Sequence, residues 1–436
     1  MNGIQSRGNR GEEMMKRKNV RFFALAVLLL LSALMCACRT GQDPMQTGVP
    51  SGNEPSTEQT APTVSSTADP ARTEPETEPE TEPPAPPQEI RLSFAACGDN
   101  IVYYGNVREA RELGKNGTMD FSASYDRIRD IISDADISFI NQENIMAASM
   151  PLSYYPCFNV PQEVGNAVID CGFDIVNMAN NHMLDKGMAG LEESIAFWRA
   201  APVFPIGDYL NEADYNTLRL YEKDGVTIAF LSYTYGTNGI VPDPNSDIVV
   251  PYLSESVIRR QMAAAREAAD LVMVSVHWGE ENLFTPTAEQ TYYANLFSEL
   301  GADVILGHHP HVIQPVKWIE GNGGHRTLCI YSLGNLMAEM ASDYNMVGGI
   351  MTFDIVKSGN TASIESPLFI PTVFDFNASF RKNQIWLMED YTAEQAMVHG
   401  ISYYGNHTTV KKLRAYVTNT IDREFLPSFL FETTEH

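Results

Sequence analysis

Residues 302–311 read Ala302-Asp303-Val304-Ile305-Leu306-Gly307-His308-His309-Pro310-His311. An aspartate leads into a short apolar run, and the run stops in a glycine and a cluster of histidines. Three other segments begin the same way: Ala135-Asp136-Ile137-Ser138-Phe139-Ile140, Phe173-Asp174-Ile175-Val176 and Ala269-Asp270-Leu271-Val272-Met273-Val274. Short, almost continuously apolar runs of this kind predict strands covered on both faces. Stretches of helical character, such as Ser254 to Ala269 and Thr287 to Leu300, stand between them. The order is that of βα units, and in such α/β folds ligands bind beyond the carboxyl ends of the strands.

Polar clusters fall at those ends. In chain order they are Gly98-Asp99-Asn100, Asn141-Gln142-Glu143-Asn144, Asn180-Asn181-His182 with Asp185 and Gly187, His277-Trp278-Gly279-Glu280-Glu281, and the closing His308-His309-Pro310-His311. Of nine histidines, five lie in the last three clusters, whereas His325, His399, His407 and His436 are scattered. Any one such residue after a strand reads as a cap or a satisfied polar group; five clusters in register read as a site. Imidazoles and carboxylates are the ligands that first-row divalent metals share, and such a set can hold two ions roughly 4 Å apart. The absence of cysteine from the set favours an open catalytic centre over a closed structural zinc. Metal-free acid–base chemistry on a peptide or amide by tuned carboxylates and imidazoles is the competing reading. A serine elbow is excluded, because Ser332 lacks the preceding glycine, and Gly321 to Gly324 lacks the Lys and Ser/Thr of a phosphate loop.

Four of these stretches carry a family resemblance: Asn180-Asn181-His182 with Asp185-x-Gly187, His277-Trp278-Gly279-x-Glu281, Gly307-His308-His309-Pro310-His311, and Ser332-Leu333-Gly334-Asn335. Present in this order, they make the chain from about Arg91 to Thr372 resemble the bacterial CapA, or poly-gamma-glutamate capsule, proteins of the calcineurin-like metallophosphoesterase superfamily. The resemblance implies a four-layer αββα metallophosphoesterase-like sandwich with mixed sheets, its active site at the strand carboxyl ends, and one or two divalent ions (Mn, Fe, Zn or Mg). By the same resemblance Asp99, Glu143, Asn181, His277, His309 and His311 are the metal ligands, with His308 an alternative to His309. His182 is the catalytic histidine, and Asp185 and Glu281 stand with it as catalytic groups. Asn100, Asn141, Trp278, His308 and Asn335 are expected to touch substrate. The family usually has Leu where Gln142 stands and an aromatic where Leu336 stands. Relative to the superfamily, Ile101 stands where a ligand histidine follows the first aspartate, and Glu143 replaces an aspartate.

The flanks place this domain. Lys16, Arg17, Lys18 and Arg21 precede an apolar run from Phe22 to Met35, the pattern of an export signal, and Cys36-Ala37-Cys38 ends it as a lipoprotein signal would, with Cys38 lipidated. An uncleaved anchor helix and an ordinary cleaved signal are the other readings; each puts the domain outside the membrane. Met14 and Met15, directly before the basic residues, offer a second translation start. Thr40 to Gln88 is dominated by Pro, Thr, Ser, Glu and Gly, with the repeat Thr73-Glu74-Pro75-Glu76-Thr77-Glu78-Pro79-Glu80, and reads as an extended, self-repelling stalk. Cys97, Cys157, Cys171 and Cys329 form no CxxC pair and read as free thiols, with a disulfide still open.

The domain reading is therefore 1–38 signal, 39–89 stalk, 90–375 catalytic-type domain and 376–436 a helical extension packed on it. A formal charge of −25 over 436 residues excludes a nucleic-acid partner, which needs clustered Lys and Arg. The expected function is capsule or wall-polymer biosynthesis or export at the outer face of a bacterial membrane. Its partners would be an anionic surface polymer or its precursor and membrane synthase subunits. A non-catalytic accessory role in such a complex is the alternative.

Overall fold

The computed structural model of the chain describes residues 89–432. The expected signal, Cys38 and the stalk up to residue 88 lie outside the described residues, as does His436. Among the described residues no helix is long and apolar enough to cross a membrane.

The chain first lays down β1 (Glu89–Asn100), β2 (Ile137–Gln142), β3 (Ile175–Asn177) and β4 (Phe204–Ile206) as parallel neighbours. It then builds a second sheet from β5 (Arg219–Lys223), β6 (Val226–Thr234), β7 (Leu271–His277), β8 (Val304–His308), β9 (Val316–Glu320) and β10 (Arg326–Ile330), with β6, β7, β8 and β10 parallel. Returning to the first sheet, β11 (Asn335–Met337) pairs with the end of β1, and β12 (Val347–Ser358), β13 (Thr361–Asp375) and β14 (Gln384–Leu387) extend it antiparallel. The result is two mixed sheets, of eight and six strands.

Side-chain alternation along β6 shows how the sheets stack. Ile228 and Phe230 enter the core that also holds Leu92, Phe94 and Phe353 of the first sheet. Ala229, Leu231 and Tyr233 enter a separate core with Ile258 and Met262 of one helix and Ala294 and Phe297 of another. Four crossover helices attach to the first sheet: α1 (Tyr104–Leu113), α2 (Arg129–Ser133), α3 (Glu163–Cys171) and α4 (Gly187–Ala200). Of these, α3 and α4 bury Val164, Val168, Leu191 and Ile195. After the short α5 (Glu212–Tyr215), α6 (Glu255–Ala268) and α7 (Ala288–Glu299) cover the second sheet. The layers run helix, sheet, sheet, helix, so the expected αββα sandwich with mixed sheets is what folds. Residues at alternate positions of one strand thus bury about 1.5–3 kcal/mol of apolar side chain apiece on opposite faces.

The aspartates that open the apolar runs have a physical role. Asp136 Oδ2, just before β2, accepts the Ser93 N–H and Oγ–H of β1 at 2.8 Å each. Asp174 does the same to Ser138 of β2 at 2.8 Å. In the second sheet Asp270 Oδ2 accepts the Thr227 N–H of β6 at 2.8 Å, and Asp303 Oδ2 the Val272 N–H of β7 at 2.7 Å. Each carboxylate staples the amino end of the neighbouring strand and so fixes register, which a one-residue slip would invert for every side chain. With the amino ends pinned, Asp99 lies beside Asn141, Asn141 beside Asn177, and His277 beside His308 at the other edge.

The tail carries a strand as well as helices. It contains α8 (Ala393–Val398) and α9 (Val410–Thr420), but residues 384–387 form β14 at the sheet edge, because Ile385 is a core residue and its neighbours are not. Cys97, Cys171 and Cys329 are buried free thiols and Cys157 is an exposed one.

Two predictions follow from this packing. A Cβ on Gly98 would sit 2.0 Å from the Gly334 carbonyl oxygen, which already accepts the Asp99 N–H at 3.0 Å. Gly98→Ala should cost about 3 kcal/mol in urea unfolding, because backbone rather than a movable side chain blocks the space. Burial pushes the Asp375 carboxyl up to about 7, although Tyr391 Oη–H donates to it at 3.0 Å. A carboxyl whose folded pKa exceeds its unfolded one contributes stability below about 4 that is lost as pH rises through about 7. Asp375→Asn should therefore match the parent's melting temperature at pH 4 and exceed it by several degrees at pH 8.

Candidate metal centre

The site begins where β1 ends. The register between β1 and β2 shifts at Cys97/Asp99, and beyond that irregularity Asp99 lies with no exposed surface. Its Oδ1 accepts from Asn141 Nδ2 at 2.8 Å, and its Oδ2 accepts the His309 N–H at 3.2 Å. Asn141 is held in turn by Asn177 Nδ2, which donates to Asn141 Oδ1 at 2.7 Å. The Asn177 oxygen receives Ser232 Oγ–H of the second sheet at 2.5 Å. An amide relay across three strands thus aims one carboxylate.

From β7 and β8 come the histidines. His277 Nε2 stands 3.0 Å from Asn181 Oδ1 and 3.9 Å from Glu143 Oε1. After β8, His309 and His311 flank Pro310 with φ of +96° and +55°, left-handed backbone that non-glycine residues adopt at a cost of order 1–3 kcal/mol, as functional sites do. The turn brings His311 Nδ1 to 3.3 Å from Asp99 Oδ2 and 3.0 Å from Asn335 Oδ1, with Nε2 3.8 Å from Glu143 Oε1. Two groups of potential ligand atoms result, each within 4.8 Å: Asp99, Glu143 and His277, and Glu281, His309 and His311. Glu281 was expected as a catalytic group; the structure brings it among the ligand-type residues.

His182 lies at the rim, its Nδ1 2.7 Å from Asp185 Oδ2 and its Nε2 3.8 Å from Glu143 Oε1. Asp185 also accepts the Phe158 N–H at 2.5 Å, and the Phe158 ring meets the His182 ring edge-on at 4.8 Å. One carboxylate therefore sets both the tautomer and the tilt of the imidazole.

Electrostatics fit a cation. Glu143 is buried, and neither of its carboxylate oxygens has a hydrogen-bond partner; nor have His277 Nδ1 and His309 Nδ1. Such groups carry a large desolvation cost unless a charge meets them. Burial, then Asp99, holds the Glu143 carboxyl well above the usual range. Burial would raise Asp99 too, but the His311 hydrogen bond and charge, with His308 and Asn141, keep it below its ordinary value. His311 answers: burial works against its proton, yet Glu143 and Asp99 push it up to about 9. Burial and neighbouring imidazoles hold His277 well below its usual value, and burial first takes His309 to about 3. Neutral His277 and His309 beside anionic Asp99 are a donor set suited to divalent ions.

The five residues expected to touch substrate are all buried. Asn100, Asn141, His308 and Asn335 are 0 % exposed and Trp278 is 1 %. Asn100 faces Gln142 and Tyr125, and Trp278 donates its indole N–H to the Tyr331 carbonyl at 2.9 Å, in the core under α6 and α7. His308 stacks on Phe139 at 5.7 Å beneath Asp99. Asn335 orients His311, as Asn141 orients Asp99. These are supports behind the site.

Two residues on its open side went unpredicted. Tyr235 is 40 % exposed with its ring 4.6 Å from that of His309, and Asn238 Oδ1 accepts from Asn181 Nδ2 at 3.1 Å. Both lie just after β6, a position the strand-end rule already marks.

Comparison with known proteins places the chain among its relatives. It is 30 % identical over 213 residues to the PGA biosynthesis protein CapA of Bacillus subtilis, covering 46 % of this chain and 52 % of that one. To the capsule biosynthesis protein CapA of Bacillus anthracis it is 28 % identical over 262 residues, covering 55 % and 61 %. The chain thus spans between about half and three fifths of these relatives' length. Among solved structures, the calcineurin-like phosphoesterase YfkN of Bacillus subtilis aligns at 12 % identity with a TM-score of 0.39, over 65 % of this chain and 91 % of that one. Haemophilus influenzae NAD nucleotidase aligns at 12 % identity and 0.41, over 78 % and 57 %. The sequence profile of the bacterial capsule synthesis protein PGA_cap matches residues 93–340, more than half of the chain, and the chain belongs to that family.

Proposed function

We propose that this chain is a surface-anchored protein of capsule or cell-wall polymer biosynthesis or export, carrying a metal-dependent hydrolytic or transfer site at the outer face of the membrane. The observation that carries the metal reading is Glu143: a buried carboxylate without a hydrogen-bond partner, flanked by His277, His311 and His182. The polymer reading is supported by family membership and by the names of the two Bacillus relatives. The anchoring reading rests on the basic and apolar residues before Cys38. An anionic polymer or its precursor is the proposed substrate, and membrane synthase subunits are the proposed partners.

Asp99, Glu143, Asn181 and His277 would hold one ion, and His309 and His311, with Glu281, a second. Bound there, divalent ions would polarise a phosphoryl or acyl oxygen and acidify a water. The chain's own residues supply the rest. Asp185 accepts the Nδ1–H of His182 and turns Nε2 to the site, where it can take a proton from an attacking water and pass it to the leaving oxygen. Asn141 and Asn335 hold Asp99 and His311 against rotation. Tyr235 puts aromatic surface at the rim, and the buried Phe158 ring backs that of His182.

Purified protein should contain Mn, Fe, Zn or Mg by elemental analysis, and His309→Ala should lose at least half of it together with hydrolysis of a chromogenic phosphodiester. Unchanged metal content and turnover would remove the metal from this reading. His182→Gln should keep the metal and lose about 10²- to 10⁴-fold in turnover. In a deletion strain that has lost its capsule, His182→Gln should fail to restore it; full restoration would assign the protein a non-catalytic accessory role.

A further inference from the structure

The loop after β6 runs Tyr235-Gly236-Thr237-Asn238-Gly239. Asn238 has φ of +52° and Gly239 of +77°; asparagine is among the few residues that enter this left-handed region readily. The turn faces the Asn238 amide to the site, where Oδ1 accepts from Asn181 Nδ2 at 3.1 Å. An amide side chain can be turned end for end about its last torsion, which is broad and roughly two-fold. What decides its direction is which end is hydrogen-bonded. With Nδ2 of Asn181 engaged by Asn238, Oδ1 is the end that points inward, 3.0 Å from His277 Nε2. Glu143 Oε1 stands 3.9 Å from that same nitrogen, so a carboxylate oxygen, an amide oxygen and an imidazole nitrogen converge. Turned over, Asn181 would offer two N–H groups to the same space and repel a cation. The other end of Asn238 adds little, because its Nδ2 is 3.5 Å from His182 Nδ1, whose proton Asp185 already holds at 2.7 Å.

We propose that Asn238 is a positioning residue that locks the Asn181 amide with its oxygen towards a divalent cation. This inference rests on the metal-dependent reading of the site. Neither residue type nor sequence spacing links positions 181 and 238; the hydrogen bond does. Outer partners of metal ligands contribute tenfold or more to metal affinity by fixing the ligand atom.

The test uses the full chain, stripped by chelation and titrated with Mn²⁺ in a calorimeter. Asn238→Gly tolerates the left-handed backbone and removes the amide; it should bind Mn²⁺ about tenfold more weakly, while the metal-free protein melts within a few degrees of the parent. Asn238→Asp keeps an acceptor for Asn181 Nδ2 and should bind Mn²⁺ at least as tightly as the parent. Parent-like binding by Asn238→Gly, or equal loss in Asn238→Asp, overturns the proposal. Asn181→Ala separates the two layers of argument. If it weakens Mn²⁺ binding and Asn238→Gly does not, the positioning role alone fails. If Asn181→Ala binds as the parent does, the metal reading fails and takes the inference with it.

Discussion

Everything at the carboxyl edge depends on hydrogen bonds made at the opposite edge. Asp136, Asp174, Asp270 and Asp303 each reach sideways to a backbone N–H of the preceding strand, well before its carboxyl end. A parallel sheet has no hairpin turn to set its register, and its evenly spaced ladder tolerates sliding better than an antiparallel one. The carboxylate supplies the missing reference point. With that point fixed, strand length decides which residue emerges at the far end: Asp99 beside Asn141, and His277 beside His308.

At the far end two sheets meet over charge. Asp99 and Glu143 come from the first sheet and His277, His309 and His311 from the second, so the site is also a seam between layers. The Glu143 carboxylate has no hydrogen-bond partner and the loop bearing His309 and His311 holds left-handed backbone. Both features oppose stability in the metal-free protein, and the large apolar core beneath them is what makes such concentration of strain and buried charge tolerable. The amide relay from Ser232 through Asn177 and Asn141 to Asp99 serves the same end, since a buried polar group is affordable only when its hydrogen bonds are complete.

Much of this was legible in the sequence because strand periodicity and strand-end chemistry are local. The four Asp-led runs marked the inner strands, the helical stretches from Ser254 and Thr287 marked the layer above the second sheet, and the clusters at Asp99, Glu143, His182, His277 and His309 to His311 marked the site. Depth was not legible. Asn100, Asn141, Trp278, His308 and Asn335 sit in the same motifs as the open-side residues, and only the third dimension separates a side chain aimed at solvent from one aimed at its neighbour. Partnership across sheets was equally hidden: nothing local ties Asn238 to Asn181 or Ser232 to Asn177. In the tail, Gln384 to Leu387 is too short to announce a strand by its own pattern and exists because β13 offers an edge.

The Asp99 to His309 hydrogen bond joins positions 210 residues apart. Contacts of such separation close late, since loop entropy must be overcome before they reward the chain. An intermediate with either sheet formed alone would have strands, helices and much of its hydrophobic burial, yet would not bring Asp99 and Glu143 to His277. A cation that needed all three of these residues would therefore be held only by the finished molecule.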